Sequence, residues 1–340
     1  MLVFENDYSE GCHPRILERL MQTNFDKQVG YGFDDYCAAA KEKIAAACGQ
    51  AVDVWFLSGG TQTNRIVISN LIDAYQSVVA ADTGHINVHE AAAIESAGRK
   101  VQLLPNVDGK LQACDLKRML VDFYADDHHE HCPFPGMVYL SHPTEYGTLY
   151  TKAELTALAQ VCRDYHLPLF LDGARLGYAL ACPESDLTLP EIARLCDVFY
   201  IGGTKVGALC GEALVFTKNN TPSHFLARVK QQGALLAKGR LLGVQFDTLF
   251  SDGLYEKLGA HAIAMAAKLR SVFEKKGYEF HLNSPTNQLF VVLDNEKMEQ
   301  LREQVRFSFW EKKDETRSVV RFATSWATRE SDIDQLEILL

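Results

Sequence analysis

The chain has 340 residues, with 34 lysines and arginines against 44 aspartates and glutamates, which gives a net charge of −10 with neutral histidines. So acidic a chain is a poor candidate for sequence-independent nucleic-acid binding, and no apolar run is long enough to span a bilayer. The start, MLVFENDYSEG, lacks the basic and apolar regions of a secretory signal, and the nine cysteines form no CxxC pair. We therefore expect a globular, cytoplasmic protein with neither membrane nor nucleic-acid partners.

Short apolar segments alternate with helical patterns through the N-terminal part of the chain, which predicts a mostly parallel sheet covered on both faces by helices. The predicted strands are Val52–Leu57, Val78–Ala81, Val101–Leu104, Met137–Leu140, Leu167–Leu171 and Val198–Ile201. The predicted helices between them are Gln62–Tyr75, Asn87–Ala97, Leu111–Tyr124 and Thr151–Tyr165, the last opening with a capping-box pattern.

The pattern changes after Gly243, where a long helix over Leu254–Lys276 precedes short strands at Leu289–Leu293 and Val319–Ala323. We interpret the chain as a large α/β domain, residues 1–245, followed by a smaller α+β domain, residues 246–340.

Ligands of open parallel sheets bind beyond the carboxyl ends of the strands, so the residues that follow each strand carry the functional information. Here these residues are small, charged or capable of proton transfer. They form the segments Ser58–Asn64 (SGGTQTN), Asp82–His85 (DTGH), Ser141–Glu145 (SHPTE), Leu171–Arg175 (LDGAR) and Gly202–Lys205 (GGTK).

Each segment alone also has an ordinary structural interpretation. The glycine turn is as typical of a plain strand-to-helix connection as of an anion site, Asp172 could cap a helix, and Lys205 could be solvated. Together they meet three needs of pyridoxal phosphate, namely a lysine for a Schiff base, an acid for the pyridine nitrogen and a phosphate-binding turn.

In this order and spacing, the SGGTQTN, LDGAR and GGTK segments resemble those of fold-type I pyridoxal-phosphate enzymes, whose fold is that of aspartate aminotransferase. More narrowly, the chain resembles the low-specificity L-threonine aldolases of the β-eliminating lyase family over nearly its whole length. The resemblance implies a homodimer or homotetramer that acts on a small amino acid in amino-acid metabolism.

By this resemblance Lys205 binds the cofactor covalently, Asp172 pairs with the pyridinium nitrogen and His85 stacks on the cofactor ring. Gly60 and Thr61 would hold the phosphate, with Thr204 as a weaker candidate. An ionised carboxylate at Asp172 would keep the ring protonated and so make it an electron sink.

The resemblance also assigns residues that would bind substrate. Arg175 and Arg321 match arginines that hold the amino-acid carboxylate, for which the guanidinium fork is suited. Lys230 matches a lysine near the entrance to the active site.

Three positions depart from the family pattern. Asn6 stands where the family has a serine that contacts the carboxylate, and Glu145 stands where it has a histidine near the substrate hydroxyl. The cation that reaches the phosphate from a neighbouring subunit aligns only with a gap, to Lys238 or Arg240. These departures suggest a divergent branch.

The implied reaction is cleavage of L-threonine, L-allo-threonine or a related β-hydroxy amino acid to glycine and an aldehyde. Glu145 is our first candidate for handling the hydroxyl proton, directly or through water, and His85 is the second. Cleavage of phenylserine-type substrates, β-elimination and transamination remain alternatives on the same fold.

An alternative of another class is a non-catalytic protein of the same fold or a metal-binding protein. The segment Asp126–Cys132 (DDHHEHC) collects metal-binding side chains. Consecutive ligands in one loop rarely surround an ion, so we expect a solvated loop and no metal.

Overall fold

A computed structural model describes residues 1–340. The strands are β1 (Leu2–Val3), β2 (Asp53–Leu57), β3 (Gln76–Ala81), β4 (Lys100–Leu104), β5 (Asn106–Val107), β6 (Lys110–Leu111), β7 (Phe134–Ser141), β8 (Leu169–Asp172), β9 (Val198–Gly202), β10 (Glu212–Phe216), β11 (Gln288–Asp294), β12 (Val305–Arg306), β13 (Ser308–Lys312) and β14 (Arg317–Ala323).

The helices are α1 (Pro14–Gln22), α2 (Asp35–Cys48), α3 (Gly60–Leu71), α4 (His85–Val88), α5 (Ala93–Ser96), α6 (Ala113–Ala125), α7 (Lys152–Asp164), α8 (Leu176–Ala181), α9 (Leu189–Leu195), α10 (Phe225–Gln231), α11 (Arg240–Leu249), α12 (Leu254–Lys275), α13 (Asn295–Arg302) and α14 (Glu330–Leu339). A 3₁₀ turn lies at His129–His131.

A seven-stranded sheet in the order β2-β10-β9-β8-β7-β3-β4 forms the centre of the N-terminal part of the chain, with its strands between Asp53 and Phe216. Only β10 runs against the others, pairing antiparallel with β2 and β9. The predicted α/β class with a mostly parallel sheet is confirmed, whereas β10 was not among the predicted strands.

Alternate residues of the sheet pack into two different apolar clusters. Leu140, Leu171 and Ile201 belong to a cluster on one face, while Phe170 and Tyr200 belong to a cluster on the other. Because side chains alternate along a strand, Asp172 lies on the same face as Phe170 and Tyr200.

The C-terminal segment builds a separate small sheet in the order β11-β14-β13, which packs with α12, α13 and α14. This agrees with the expected α+β character. Residues 245 and 246, our domain boundary, lie inside α11, and α11 packs closely against α2. The division into 1–245 and 246–340 stays a prediction.

One predicted helix differs from the structure. Asn87–Ala97 is not continuous, because Ala91 and Ala92 adopt left-handed conformations with φ values of 49° and 57° and separate α4 from α5. The interruption turns Glu90 into the interior, where it is 4% exposed. None of the helices combines the length and apolar character that spanning a bilayer requires.

Candidate active site

A cavity of about 860 Å³ opens at the carboxyl ends of the parallel strands. It brings together most of the residues expected to form the site. Those that line it are Gly60, Thr61, His85, Glu145, Asp172, Arg175, Thr204, Lys205 and Arg321.

Asp172, the last residue of β8, is 4% exposed and is held by four hydrogen-bond donors. Oδ2 accepts from the Asn64 amide at 2.9 Å and the Tyr139 hydroxyl at 2.6 Å, and Oδ1 accepts from the Tyr200 hydroxyl and the backbone N–H of Ala174. Burial acts to raise the pKa of this carboxyl group. The nearby His85 ring and the side-chain hydrogen bonds outweigh burial, so the pKa lies below its ordinary value.

The His85 ring lies in the cavity wall, 31% exposed, with Nδ1 2.7 Å from Oε1 of Glu90. The same oxygen accepts from the Asn64 amide at 2.7 Å. Asn64 therefore connects two buried carboxylates, those of Glu90 and Asp172.

Two glycines allow the strand ends that carry Asp172 and Lys205 to lie close together. A Cβ on Gly173 would lie 2.0 Å from the carbonyl oxygen of Tyr200, and one on Gly202 would lie 2.2 Å from that of Ala174. A larger residue at either position would push the two strand ends apart.

Lys205 follows β9 in a loop that closes on Gly211 through backbone hydrogen bonds. Its Nζ lies 5.9 Å from the centre of the Tyr8 ring. Burial lowers the pKa of Lys205 well below its ordinary value of 10.5, and the positive charge of Arg175 acts in the same direction. A buried amine of this kind is more often neutral, and so more nucleophilic, than an exposed one.

Glu212 is a buried carboxylate at the start of β10, next to the lysine loop. It accepts hydrogen bonds from the backbone N–H of Gly203 at 3.0 Å and from the Thr204 hydroxyl at 2.8 Å. Burial raises the pKa of Glu212 above its ordinary value. Since the Thr204 hydroxyl donates its hydrogen to Glu212, it has only acceptor capacity left, which disfavours Thr204 as a phosphate donor.

Arg175 is paired with Asp7. Its Nε lies 2.6 Å from Oδ2 and its Nη2 3.1 Å from Oδ1 of Asp7, which is 0% exposed and also accepts from Asn287 at 2.9 Å. Burial acts to raise the pKa of Asp7, but the charges of Arg175 and Lys205 and the hydrogen bonds lower it to about 2. The Nη1 group of Arg175 has no hydrogen-bond partner in the chain.

Arg321, in β14, is a largely buried cation with no carboxylate partner. Its guanidinium donates to neutral acceptors only: Gln288 Oε1 at 3.1 Å, the Glu5 carbonyl at 3.1 Å and Ser308 Oγ at 3.2 Å. Its Nε is buried without any partner. Burial and the nearby charge of Arg175 lower the pKa of Arg321 to about 10.

Glu145 is 8% exposed and follows β7. Its Oε1 accepts from the backbone N–H of His85 at 2.7 Å and from the Ser141 hydroxyl at 2.6 Å. Burial raises the pKa of Glu145 above its ordinary value, in spite of these hydrogen bonds. A carboxylate of this kind is a stronger base than one in water.

The turn Ser58–Thr61 leads from β2 into α3 and lines the cavity. A Cβ on Gly60 would come within 3.1 Å of the Tyr200 hydroxyl. The free backbone N–H groups at the start of this 12-residue helix can hold an anion.

Three expected site residues lie outside the cavity of their own chain. Asn6 accepts from the Tyr8 backbone and Ser9 hydroxyl at 3.0 Å each. Lys230 lies 4.5 Å over the Tyr31 ring, and Arg240 donates to the carbonyls of Thr23 and Asp26. Lys238, the alternative to Arg240, is exposed.

The polar segment 126–132 includes the exposed side chains of His128 and Glu130. No group of three or more histidine, cysteine, aspartate or glutamate side chains in the chain is arranged to hold a metal ion.

Sequence reasoning missed Asn64, Glu90, Tyr139, Tyr200 and Glu212. Because β10 runs antiparallel, its first residue, Glu212, lies at the edge where its neighbours end, so it is not among the residues that follow strands. The signal was present: a glutamate opens the apolar segment Glu212–Phe216, and tyrosines stand inside two buried strands, where their hydroxyls need partners.

The fold and these side chains define the class: a pyridoxal-phosphate enzyme in which an aspartate and a lysine lie at the carboxyl ends of neighbouring strands of a mostly parallel sheet. The buried carboxylate of Asp172, the glycine turn before α3 and the buried amine of Lys205 fit the ring nitrogen, phosphate and aldehyde of that cofactor.

Comparison with known proteins specifies the family. The β-eliminating lyase family model matches residues 7–296, and the chain belongs to this family of pyridoxal-phosphate-dependent lyases. It is 30% identical to a low-specificity L-threonine aldolase of a Pseudomonas species, across 98% of this chain and 95% of that protein.

Solved structures agree with this assignment. A threonine aldolase of Leishmania major superposes with a TM-score of 0.96 and 42% identity, covering all of this chain and 98% of that one. The histidinol-phosphate aminotransferase of Clostridium acetobutylicum, 12% identical with a TM-score of 0.74 over all of this chain and 98% of that one, shares the fold alone.

Proposed function

We propose that the protein is an aldolase that cleaves L-threonine, L-allo-threonine or a related β-hydroxy amino acid to glycine and an aldehyde. The observation that carries this proposal is Arg321, a largely buried cation without a counter-ion that shares a cavity with the amine of Lys205. Such a cation is complementary to an amino-acid carboxylate. The Pseudomonas relative and the Leishmania major structure both carry the name threonine aldolase, which supports the reaction type.

We propose that the cofactor is held by Lys205 at its aldehyde, by Asp172 at its ring nitrogen and by Gly60 and Thr61 at its phosphate. When bound, pyridoxal phosphate supplies an electron sink for the bond that breaks at Cα. Asp172 contributes a carboxylate whose pKa the nearby His85 ring and the side-chain hydrogen bonds lower, and a negative charge at that point favours a protonated ring nitrogen.

The substrate carboxylate would lie between Arg321 and the free Nη1 of Arg175. Asp7 already accepts hydrogen bonds from Nε and Nη2 of Arg175, which limits this arginine to one or two hydrogen bonds with the substrate. Arg321 would then provide most of the binding energy, since a substrate carboxylate would neutralise its charge.

The proton of the β-hydroxyl must leave as the Cα–Cβ bond breaks and the aldehyde forms. Glu145 is our first candidate for accepting it, directly or through water, because its buried carboxylate has a raised pKa. His85, the second candidate, lines the same cavity and would also stack on the cofactor ring.

The proposal also includes a homodimer or homotetramer in the cytoplasm. Apolar side chains of the N-terminal segment are exposed, among them Met21, Phe25, Val29 and Phe33 at 64–91%, and a second copy would cover them. The second copy would also bring basic side chains to a neighbouring site, namely Lys230 and either Arg240 or Lys238, which lie outside the cavity of their own chain.

The proposed cytoplasmic location is supported by the cysteines. All nine are free thiols, as suits a reducing compartment.

The first experiment is the visible spectrum of the purified protein before and after addition of glycine, followed by cleavage assays with threonine, allo-threonine and phenylserine. An absorbance change with glycine, together with release of an aldehyde from one of these substrates, would support the proposal. Bound cofactor without aldehyde release would favour elimination or transamination instead.

A second experiment tests the attachment of the cofactor. Borohydride treatment should fix it to the wild-type protein at Lys205, as detected by mass spectrometry, and Lys205→Ala should abolish that product. Cofactor fixed to the protein in the variant would refute the role of Lys205.

A further inference from the structure

Glu90 is a buried carboxylate that the proposed steps above do not use. Its side chain is 0% exposed, although it lies in the wall of the cavity. The two residues that follow, Ala91 and Ala92, both have the left-handed backbone that residues other than glycine rarely adopt. Such strain persists only where surrounding contacts fix the chain, and it clusters at functional sites.

The contacts that fix Glu90 lead to both sides of the cofactor site. Oε1 accepts from the Asn64 amide at 2.7 Å and contacts Nδ1 of His85 at 2.7 Å, while Oε2 has no partner. The Asn64 amide also donates to Oδ2 of Asp172 at 2.9 Å. One hydrogen-bonded chain thus connects the ring of His85 with the carboxylate of Asp172.

The chemistry of this contact decides which nitrogen of His85 carries the hydrogen. Oε1 of Glu90 already accepts from the Asn64 amide, so we assign Nδ1 of His85 as the donor to this oxygen. In the neutral ring Nε2 then keeps its lone pair. Nε2 has no hydrogen-bond partner in the chain, and the ring lines the cavity.

We propose that Glu90 is a positioning residue that holds His85 as the Nδ1-protonated tautomer and turns the Nε2 lone pair towards the substrate hydroxyl. This inference rests on the proposed function, because the hydroxyl belongs to the β-hydroxy amino acid. It gives His85 the form that it needs to serve as a proton acceptor beside Glu145. The alternative is that Glu90 stabilises only the fold, through Asn64.

The direct test is nitrogen NMR of the histidine rings, with and without bound cofactor. His85→Asn identifies the His85 signal among those of the 11 histidines. We expect the Nδ1–H tautomer in the wild type, and in Glu90→Gln a mixture in which the Nε2–H tautomer appears, because the glutamine amide can donate to Nδ1. Glu95→Gln, an exposed change on α5 nearby, is the matched control and should leave the signal unchanged. An Nε2–H tautomer in the wild type, or the same tautomer in wild type and Glu90→Gln, would overturn the proposal.

Kinetics provide the second test. Glu90→Gln should lower kcat for aldol cleavage roughly tenfold to a hundredfold with a smaller effect on KM, which is the usual range for residues that orient a functional group. If Glu90 acts through His85, adding Glu90→Gln to His85→Asn should cause no further loss. Fully multiplicative losses in the double variant would contradict the proposal and point to the Asn64 alternative.

The two tests separate this inference from the function on which it rests. The NMR measurement requires no substrate. The protein could show an Nδ1–H tautomer that depends on Glu90 and yet no aldol cleavage. That result would refute the proposed function but not the effect of Glu90 on the His85 tautomer. Aldol cleavage with a tautomer that is independent of Glu90 would refute the inference alone.

Discussion

The ion pair between Asp7 and Arg175 allows a quantitative test of the electrostatics of the site. Asp7→Asn keeps the size of the side chain and removes its charge. Folding lowers the pKa of the fully buried Asp7 from 3.8 to about 2, which corresponds to about 2 kcal/mol of stability at neutral pH. Leaving the partner charge buried and unpaired costs ~3–5 kcal/mol in comparable pairs. We therefore expect the free energy of unfolding at pH 7 to fall by about 2–5 kcal/mol.

The pH dependence of this loss follows from the direction of the pKa shift. A carboxylate with a lowered pKa stabilises the fold above its unfolded value, and the contribution is lost as the pH falls towards the folded value. The wild type should therefore lose its advantage over Asp7→Asn progressively between about pH 4 and about pH 2. Urea unfolding of both proteins without cofactor, followed by tryptophan fluorescence down to the lowest pH at which they stay folded, measures this difference.

Asp314→Asn is the matched control. The pKa of Asp314 is also lowered to about 2, by hydrogen bonds from Thr316 and Arg317, but this carboxylate lies at the surface. Solvent screens such a pair, so we expect its loss to change stability little. Equal effects of the two substitutions, or an Asp7→Asn protein as stable as the wild type at pH 7, would refute the argument from burial.

Three further predictions concern the cavity. Arg321→Lys keeps the charge but removes the two-pronged guanidinium, so KM for the amino acid should rise roughly tenfold to a hundredfold. The control Arg317→Lys, on the same strand, should leave KM unchanged. An unaltered KM in Arg321→Lys would exclude Arg321 as the main carboxylate ligand. Glu145→Gln should lower turnover by ~10²-fold or more with little change in KM, and unchanged turnover in steady-state assays would remove Glu145 from proton transfer. Since the charge of Glu212 acts to raise the pKa of Lys205, Glu212→Gln should lower that pKa further and increase labelling of Lys205 by an amine reagent at a given pH. Mass spectrometry of the protein without cofactor, with exposed Lys238 as internal reference, measures this labelling, and an identical pH profile in wild type and variant would contradict the coupling.

The sequence alone determined the class of fold and the edge of the sheet where the site lies. Apolar strands such as Val198–Ile201 must be buried on both faces. Because each strand is a short run of consecutive apolar residues, it can be recognised in the sequence without knowledge of the tertiary structure. The same holds for Asp172 and Lys205, because residues that follow parallel strands meet at one edge whatever the order of the strands. The functional expectation needed the family resemblance in addition.

The tertiary structure decided which polar groups meet. The strand Glu212–Phe216 runs antiparallel to its neighbours, so its first residue, Glu212, lies at the edge of the sheet where the parallel strands end. No local sequence pattern predicts the direction of this strand. The contacts of Asn64 with Glu90 and with Asp172 likewise depend on how α3 packs over one face of the sheet. The chain breaks its predicted helix at Ala91 and Ala92 to make the first of these contacts, since the energy of a buried network outweighs local helix propensity.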